Sequence, residues 1–395
     1  MISVAEALGR SLALVSPLAV EEVPLRHALG RYMPEPATAT RNQPPFDASA
    51  MDGYAVQGNP AEGDSFTVVG EAGAGHGWAG TLGPNEACRI FTGAPLPAGA
   101  TRVVIQEDVI RSGDRITLRP NADVGPHIRP AGQDFRAGDQ LSPRMLTAND
   151  LALLASMNIP MVRVTRRPVV AIIATGDELV MPGEVPGPDQ IIVSNSFALM
   201  ALCESLGAKV RLLPIARDNE ASLRTVFGLA GNADLILTTG GASVGDHDLV
   251  GQVAIDLGME QSFWKIAMRP GKPLMAGRLG GRAMLGLPGN PVSSIVCAHL
   301  FALPMIRRML GIAAENAGPA PLRARLTEAI AANGPRTHYM RSSLTPTADG
   351  LPLITPDKRQ DSSLLSVLAR SGALLIHPAN AEAVPAGTVV DYLPL

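Results

Sequence analysis

The fold is decided by the stretch 166–179, Arg-Arg-Pro-Val-Val-Ala-Ile-Ile-Ala-Thr-Gly-Asp-Glu-Leu. Its six consecutive apolar residues, Val169–Ala174, predict a strand buried on both faces, because a half-exposed strand would alternate apolar and polar residues. A glycine and two carboxylates follow at once. This order is typical of a parallel sheet whose ligand site lies beyond the carboxyl ends of its strands.

The same rhythm continues along the chain. Further strands are predicted at 210–215, 233–238, 263–266 and 283–287, with helices at 196–206, 220–229, 249–257 and from Pro291 onward. Asn290 and Pro291 suit the N-cap and first position of that last helix. Alternating strands and helices predict an α/β domain over 166–313, in which helices cover both faces of a parallel sheet.

The flanks have other patterns. A helix with an apolar face at Leu8, Leu12 and Val15 is predicted near the start, and a second over 147–159 with Leu151, Leu154 and Ala155 on one face. Short strands are predicted at 65–69, 87–91, 102–106 and 115–118, then at 351–354, 373–376 and 388–392. The fold class is therefore α/β with β-rich accessory domains. The chain divides into an elongated helical domain (1–42 and 127–165), an inserted β-rich domain (43–126), the α/β domain (166–313) and a C-terminal β-barrel or sandwich (314–395).

Composition excludes several classes of protein. The 395 residues carry 33 basic and 36 acidic side chains, and the longest basic run is Arg166-Arg167, so no phosphate-neutralising nucleic-acid surface is expected. Three widely spaced cysteines predict a reducing, cytoplasmic setting. The most apolar long stretch, 291–306, is broken by Ser293, Ser294, His299 and Pro304, so no membrane span is expected.

Chemically useful groups follow each predicted strand of the α/β domain. They are Glu178 after the first, Asp218 after the second, 240–248 (Gly-Gly-Ala-Ser-Val-Gly-Asp-His-Asp) after the third, 269–273 (Arg-Pro-Gly-Lys-Pro) after the fourth and 288–291 (Pro-Gly-Asn-Pro) after the fifth. Glycine turns and helix N-termini bind phosphates, and carboxylates bind Mg²⁺. Each motif alone also fits an ordinary turn, but their convergence predicts a metal-assisted phosphate or pyrophosphate site.

The sequence also allows a different chemistry, that of a serine hydrolase. Residues 241–245, Gly-Ala-Ser-Val-Gly, match the nucleophile elbow of serine hydrolases and lie between a predicted strand and helix. His299, His338 and His377 follow later in the chain and could in principle complete a triad. The carboxylates Asp246 and Asp248 directly after the elbow argue against it.

Six motifs resemble one family. They are 46–55 (Phe-Asp-Ala-Ser-Ala-Met-Asp-Gly-Tyr-Ala), 92–97 (Thr-Gly-Ala-Pro-Leu-Pro), 175–179, 240–248, 269–273 and 286–293. In order and spacing they are similar to the MoeA family of molybdopterin molybdenumtransferases, which includes the E domain of gephyrin. The resemblance implies four domains in an elongated protein, with a central MogA-like α/β domain and a small C-terminal β-barrel.

The resemblance also implies an activity. Members insert molybdate into the dithiolene of adenylylated molybdopterin, hydrolyse the adenylate and release AMP, with help from Mg²⁺ or another divalent cation. It implies a homodimer with composite active sites, for which the apolar faces of 8–15 and 151–155 would supply the contact. A MogA-like adenylyltransferase would be a partner, and that activity is itself the alternative function.

The resemblance also implies roles for individual residues, through the motifs in which they lie. Glu178, Asp218 and Asp248 would bind the metal or position water. Lys265, Arg269 and Lys272 would hold molybdate and phosphates. The phosphate loop would contain Gly240, Gly241, Ser243 and Gly245, and Pro288 and Pro291 would shape the pocket wall. Asp52, Thr92 and Asp134 match functional positions of the other domains, and Ser362 or Ser363 matches a C-terminal serine. The chain departs from many members in having Asn219 beside Asp218, Gln133 beside Asp134, and Arg269 in place of lysine.

Overall fold

The computed structural model describes residues 1–240 and 249–395. The chain forms two compact units. The first unit consists of Met1–Glu21, Gly30–Pro34 and Val164–Leu395, and the second of Glu22–Leu29 and Glu35–Arg163. The four predicted domain boundaries remain a prediction.

The second unit is built on a six-stranded, mainly antiparallel sheet. In spatial order its strands are Arg102–Ile105, Gly53–Val56, Glu86–Ile90, Ser65–Ala72, Arg115–Leu118 and Val109–Ser112. Tyr54, Phe66 and Ile116 pack on one buried cluster, and Leu82 and Ile90 on another. The strand predictions for this unit are confirmed to within three residues at every end.

Short elements complete the second unit. Its helix Ala148–Ser156 begins at Thr147, whose hydroxyl and the Asp150 carboxylate form a reciprocal capping box. Two-residue strands pair Ala48–Ser49 with Ile128–Arg129 and Ala37–Thr38 with Gln140–Leu141. The remaining short elements are the strand Arg144–Met145 and the 3₁₀ turns Leu25–His27 and Gln106–Asp108, while Val20–Pro24 and Met161–Thr165 are strands at the limits of the unit.

The first unit contains the α/β layer. Its sheet has the order Lys209–Leu212, Val169–Ala174, Leu235–Thr239, Arg282–Leu287, Met275–Leu279 and Glu260–Trp264. The prediction of a wholly parallel sheet is wrong, because Met275–Leu279 runs antiparallel to both of its neighbours. The other strands point the same way, so their carboxyl ends meet at one edge as expected. The prediction at 210–215 is too long, since that strand ends at Leu212.

Helices pack on this sheet and on one another. The helices of the first unit outside the C-terminal barrel are Val4–Leu12, Asn195–Ser205, Glu220–Leu229, Leu249–Asp256, Pro291–Cys297, Leu303–Leu310 and Ala314–Ala317, and the unit also has short strands at Tyr32–Met33, Leu179–Val180 and Ile191–Ile192. Leu223, Val226 and Phe227 pack with Val250 and Val253 into the core below the sheet. The apolar residues of the strands pack against one apolar face of each helix, and this packing forms the core of the layer.

The helix begun by Pro291 is interrupted once. A π-helical turn, Ala298–Ala302, joins Pro291–Cys297 to Leu303–Leu310, next to Pro304, which cannot donate a backbone hydrogen bond. Residues Pro291–Leu310 are long and apolar enough to span a membrane, but 78% of that window is buried in the fold. Its apolar composition is therefore that of a core helix.

The C-terminal part of the first unit is a closed barrel, which confirms the barrel prediction. Its strands follow the order Thr337–Thr345, Leu353–Pro356, Leu322–Leu326, Val389–Pro394 and Ala373–His377, and the last pairs with the first. The strand Met268–Arg269 adds to it, parallel to Thr337 and His338. A short helix, Leu365–Ala369, completes the region.

The apolar faces expected to form a subunit contact are covered in part within the chain. Leu12 and Val15 are each 9% exposed and Leu154 is fully buried. A helical stripe indicates burial against some neighbour but not which one. Leu8 and Leu151 are half-buried and Ala155 is exposed, so a subunit contact through these faces stays a prediction.

Candidate functional site

A cavity of about 1080 Å³ lies at the carboxyl edge of the α/β sheet. Thr175, Thr239 and Pro288, each at or just after the end of a strand, contribute to its wall. Gly240 has a φ of +95°, and a Cβ added there would lie 2.5 Å from the Thr175 carbonyl oxygen. Only glycine lets these two strand ends approach so closely. Among the described residues, the predicted convergence is thus present for those that follow the first, third and fifth predicted strands.

Two of the predicted carboxylates, Glu178 and Asp218, line this cavity. Asp218 is held by its neighbour Asp177, since each backbone N–H donates to the other's carboxylate, at 3.4 and 3.2 Å. Glu178 folds over Gly176, where a Cβ would lie 2.2 Å from Glu178 Oε2. The Glu178 carboxylate accepts no hydrogen bond from the described residues and is free to bind a ligand.

Four predicted residues fall outside the described ranges: Gly241, Ser243, Gly245 and Asp248. Within 1–240 and 249–395, no group of three metal-ligating side chains occurs. The described part of the cavity therefore offers two carboxylates as hard oxygen ligands. Mg²⁺ is commonly bound by one or two carboxylates together with substrate phosphates, so this pair fits that ion.

Pro288 and Pro291 both line the cavity, as predicted. Between them, the Gly289 carbonyl accepts a hydrogen bond of 2.7 Å from Asn195 Nδ2. Asn195 is 8% exposed and also lines the cavity. The sequence analysis missed this residue, although its place at the start of the helix Asn195–Ser205, just after the strand Ile191–Ile192, was a usable signal.

A second cavity, of about 430 Å³, adjoins the first. The two share Pro273, Asn290 and Ser293 as lining residues. The predicted Arg269 and Lys272 line the smaller cavity, together with Arg336. Arg269 is oriented by Asn333, whose Oδ1 accepts from Nη2 at 3.1 Å. Three cationic side chains around so small a space favour an anion.

The two candidate serines line different cavities. Ser362 lines the smaller one and its hydroxyl accepts a 3.0 Å hydrogen bond from Asn290 Nδ2. Ser363 lines the larger one, with its hydroxyl and backbone N–H both bonded to Asp361 Oδ1. These bonds lower the pKa of Asp361 and so keep its carboxylate charged. Adjacent serines thus connect the barrel to both cavities.

A buried arginine fixes the segment that carries these serines. Arg341 is 1% exposed and donates to the carbonyls of Asp361, at 2.7 Å, and Arg359, at 3.2 Å. Gln360 Oε1 accepts from the Arg341 backbone N–H at 3.0 Å. The sequence analysis missed Arg341 because its pattern alone predicts an exposed strand residue.

Lys265 lies in neither cavity. Its ammonium group sits 4.3 Å from the centroid of the Trp264 ring, a cation–π contact at the surface. Its backbone has a φ of +74°, rare for a residue with a side chain. The structure therefore does not bring Lys265 together with Arg269 and Lys272.

Asp52 and Thr92 meet in the second unit. Asp52 Oδ1 accepts from both the backbone N–H and the hydroxyl of Thr92, each at 2.7 Å. These bonds, with attraction from Arg89, lower the pKa of Asp52. Asp134 is exposed, and its backbone N–H donates to Gln43 at 2.9 Å. The two predicted residues Asp52 and Thr92 are thus joined, while Asp134 bonds to neither.

The three cysteines are buried and unpaired. Burial raises the pKa of Cys88 to about 11 and of Cys203 to about 12, and it also raises that of Cys297. None is therefore a thiolate at neutral pH, which is the form that binds metals or attacks.

Comparison with known proteins decides the family. Residues 2–158 match the MoeA N-terminal region (domain I and II), residues 171–308 a probable molybdopterin binding domain, and residues 323–395 the MoeA C-terminal region (domain IV). A curated molybdopterin molybdenumtransferase from Nostoc sp. is 37% identical over 388 residues, covering 95% of this chain and 88% of the relative. The chain belongs to the MoeA family.

Further relatives and solved structures support the same family. A molybdopterin molybdenumtransferase from Staphylococcus epidermidis is 31% identical and covers 99% of this chain and 95% of its own. Two solved MoeA structures from Pyrococcus horikoshii match the whole chain with TM-scores of 0.83 and 0.82, at 30% and 28% identity, covering 99% and 100% of their own chains. The MoeA matches on both sides of the α/β region favour MoeA over a MogA-like adenylyltransferase, which would need that region alone. The nucleophile elbow at 241–245 lies outside the described residues.

Proposed function

We propose that this chain is a transferase of molybdenum cofactor biosynthesis, which inserts molybdenum from molybdate into the dithiolene of adenylylated molybdopterin, hydrolyses the adenylate and releases AMP. The observation that carries the proposal is the pair of adjoining cavities, which share Pro273, Asn290 and Ser293. One reaction partner is a large phosphoanhydride and the other a small oxyanion. Two connected spaces of unequal size suit that pair of substrates.

The larger cavity would hold the adenylylated pterin. Gly240 lines the cavity in a left-handed turn with close backbone approach to Thr175, and glycine turns of this kind bind phosphates. Ile191 and Ile192 add apolar surface on the same cavity. A ligand with a flat ring system and a pyrophosphate would find both kinds of contact there.

The smaller cavity would hold molybdate. Arg269, Lys272 and Arg336 supply positive charge, and a guanidinium binds an oxyanion through a planar pair of N–H donors. Ser362 adds a hydroxyl on the same lining. Because Ser362 bonds to Asn290, a residue of both cavities, the oxyanion would be held beside the pterin dithiolene.

Glu178 and Asp218 would hold Mg²⁺, with Asp248 as the third carboxylate indicated by the sequence. When bound, the ion would neutralise phosphate charge during hydrolysis of the adenylate. The protein's own part is to orient the phosphates through the glycine turns and to position water through the carboxylates. The thiolates that bind molybdenum belong to the substrate, consistent with the buried, protonated state of the three cysteines.

The working unit would be a homodimer with composite sites. Asp52 and Thr92 lie on the second unit and Glu178 and Asp218 on the first. Large apolar side chains are exposed beside both groups: Phe46 (42%) and Met51 (40%) near Asp52, and Ile191 (59%) at the larger cavity. Pairing of two chains would cover such side chains. A MogA-like adenylyltransferase would supply the substrate, and the free cysteines suit a cytoplasmic setting.

The deciding experiment is reconstitution. Purified protein is incubated with adenylylated molybdopterin, molybdate and Mg²⁺, and AMP release and cofactor formation are followed together. We expect both products to depend on molybdate. AMP release without any molybdenum incorporation would contradict the transferase proposal, and Arg269→Ala serves as the matched variant for the smaller cavity.

A further inference from the structure

His338 occupies an unusual place for a histidine. It lies on the barrel strand Thr337–Thr345, is 7% exposed and lines the smaller cavity. Arg269 is its register partner on one side and His377 on the other. Residues directly opposite in adjacent strands have Cβ atoms about 5 Å apart, so these three side chains form one cluster. The imidazole of His338 makes no hydrogen bond to the described residues.

Charge around His338 is almost all positive. Arg269 faces it from the strand Met268–Arg269, Arg341 from its own strand, Arg336 from the preceding turn and His377 from Ala373–His377, while Lys272 lines the same cavity. Among the described residues that line the cavity, one is a carboxylate, Asp361, whose Oδ1 is already bonded to Ser363. Burial and then these cations lower the pKa of His338 to about 3. The side chain is therefore neutral while the cavity holds no anion.

An oxyanion bound in the smaller cavity would favour the protonated form of His338 instead of the neutral form. A dianion inside the cavity would lie close to the imidazole and, in a poorly solvated space, would favour its charged form. We propose that His338 takes up a proton when an oxyanion enters the smaller cavity, so that anion capture is coupled to proton binding. This inference rests on the proposed use of that cavity for molybdate and adds a residue that responds to it.

This coupling makes the affinity for the oxyanion depend on pH. The free protein holds His338 neutral above about pH 3, and the occupied cavity raises the pKa. Between those two pKa values, binding takes up a proton and weakens as the pH rises, by at most about tenfold in Kd per pH unit. Above the pKa of the occupied state, both forms are neutral and the dependence disappears.

Calorimetry with sodium molybdate tests this on the full-length protein. Titrations between about pH 6 and pH 8, in buffers that differ in ionisation enthalpy and contain no oxyanion, give the number of protons taken up. We expect uptake of up to about one proton, falling with pH. His338→Gln and His338→Asn should bind with a flatter pH profile and no uptake at this site. His377→Gln is the matched control, because His377 belongs to the cluster but does not line the cavity; it should keep the uptake.

The outcomes separate the inference from the proposed function. If the wild-type protein binds molybdate without proton uptake, or if the two His338 variants keep the full uptake, the role of His338 is wrong while the molybdate cavity stands. If the wild-type protein shows no binding of molybdate, both are overturned. The wild-type measurement alone can contradict the inference, so the test does not depend on whether the His338 variants fold.

Discussion

The side-chain amide of Asn290 donates a 3.0 Å hydrogen bond to the hydroxyl of Ser362 and makes no capping bond to its own helix. Asn290 is the N-cap of Pro291–Cys297, a position where such a side chain usually accepts from the first turn. The Ser362 carbonyl accepts from Val292 N–H at 3.1 Å, which fixes the same segment a second time. The barrel therefore sets the position of a residue that lines both cavities.

Asn290→Asp separates stability from function. A carboxylate at this N-cap would suit the helix dipole and leave the melting temperature unchanged or slightly higher. The same charge would face the anion sites, so we expect KM for molybdate to rise by about tenfold or more, in line with the ~1.4 kcal/mol typical of one charged contact. Steady-state kinetics and thermal unfolding measured on the same preparation check this. A lower melting temperature with unchanged KM would contradict it.

Gly176→Ala should disable the site through Glu178. The position has a φ of +145°, and the new Cβ would lie 2.2 Å from Glu178 Oε2. The carboxylate must move, so we expect AMP release to fall at least about tenfold. Gly183→Ala is the matched control: its φ is +95° but no atom lies within 4 Å of the added Cβ. That variant should lose about 1–2 kcal/mol of stability from backbone strain and keep its activity.

Glu178→Gln removes one carboxylate charge while keeping the shape. If Glu178 holds Mg²⁺, the variant should require a higher Mg²⁺ concentration for half-maximal AMP release and should have a lower maximum, about 10²-fold down. Glu184→Gln is a suitable control, since the Glu184 carboxylate accepts from Met181 N–H, in the turn that follows the strand Leu179–Val180. Equal Mg²⁺ curves for wild type and Glu178→Gln would show that the metal role is assigned to the wrong residue.

Sequence alone was sufficient where local pattern determines structure. The strand Val169–Ala174 and the helix Glu220–Leu229 were predicted to the residue, because an unbroken apolar run and a capped amphipathic run leave few alternatives. The strand Met275–Leu279, Met-Ala-Gly-Arg-Leu, was missed, since it lacks β-branched residues and holds a glycine. Glu178 and Asp218 line the cavity at the carboxyl edge of the sheet, as the sequence predicts, whereas Arg269 belongs to the short strand beside the barrel and lines the smaller cavity with Lys272.

The rest of the site depends on tertiary packing. The burial of Arg341 and His338 on the barrel strand Thr337–Thr345 does not follow from local pattern, since burial of a charged or titratable group depends on the neighbours that surround it. Lys265 falls inside the strand predicted at 263–266 but comes directly after the observed strand end at Trp264, and with its left-handed backbone its side chain contacts the Trp264 ring. Spacing along the chain carries no information on that contact.

Ser243→Ala tests the remaining alternative chemistry. If the hydroxyl only supports a phosphate loop, the variant should keep a substantial part of the molybdate-dependent AMP release, because backbone N–H groups supply most contacts in such loops. A fluorophosphonate probe should leave the wild-type protein unlabelled, with a known serine esterase as the positive control. Stoichiometric labelling at Ser243 would favour a hydrolase over the transferase.

Subunit complementation tests the composite site. Asp52→Ala and Glu178→Ala each remove one of the two groups of residues and should each be inactive. If one subunit's Asp52 acts with the Glu178 of its partner, a mixed dimer contains one intact site and one doubly damaged site. Random pairing after joint unfolding and refolding gives about half mixed dimers, so about a quarter of wild-type activity should return. Each variant refolded alone is the control, and differently tagged chains measure the mixed fraction. Activity that stays near zero in confirmed mixed dimers would mean that the two residues do not act across subunits, because each chain would then need both in itself.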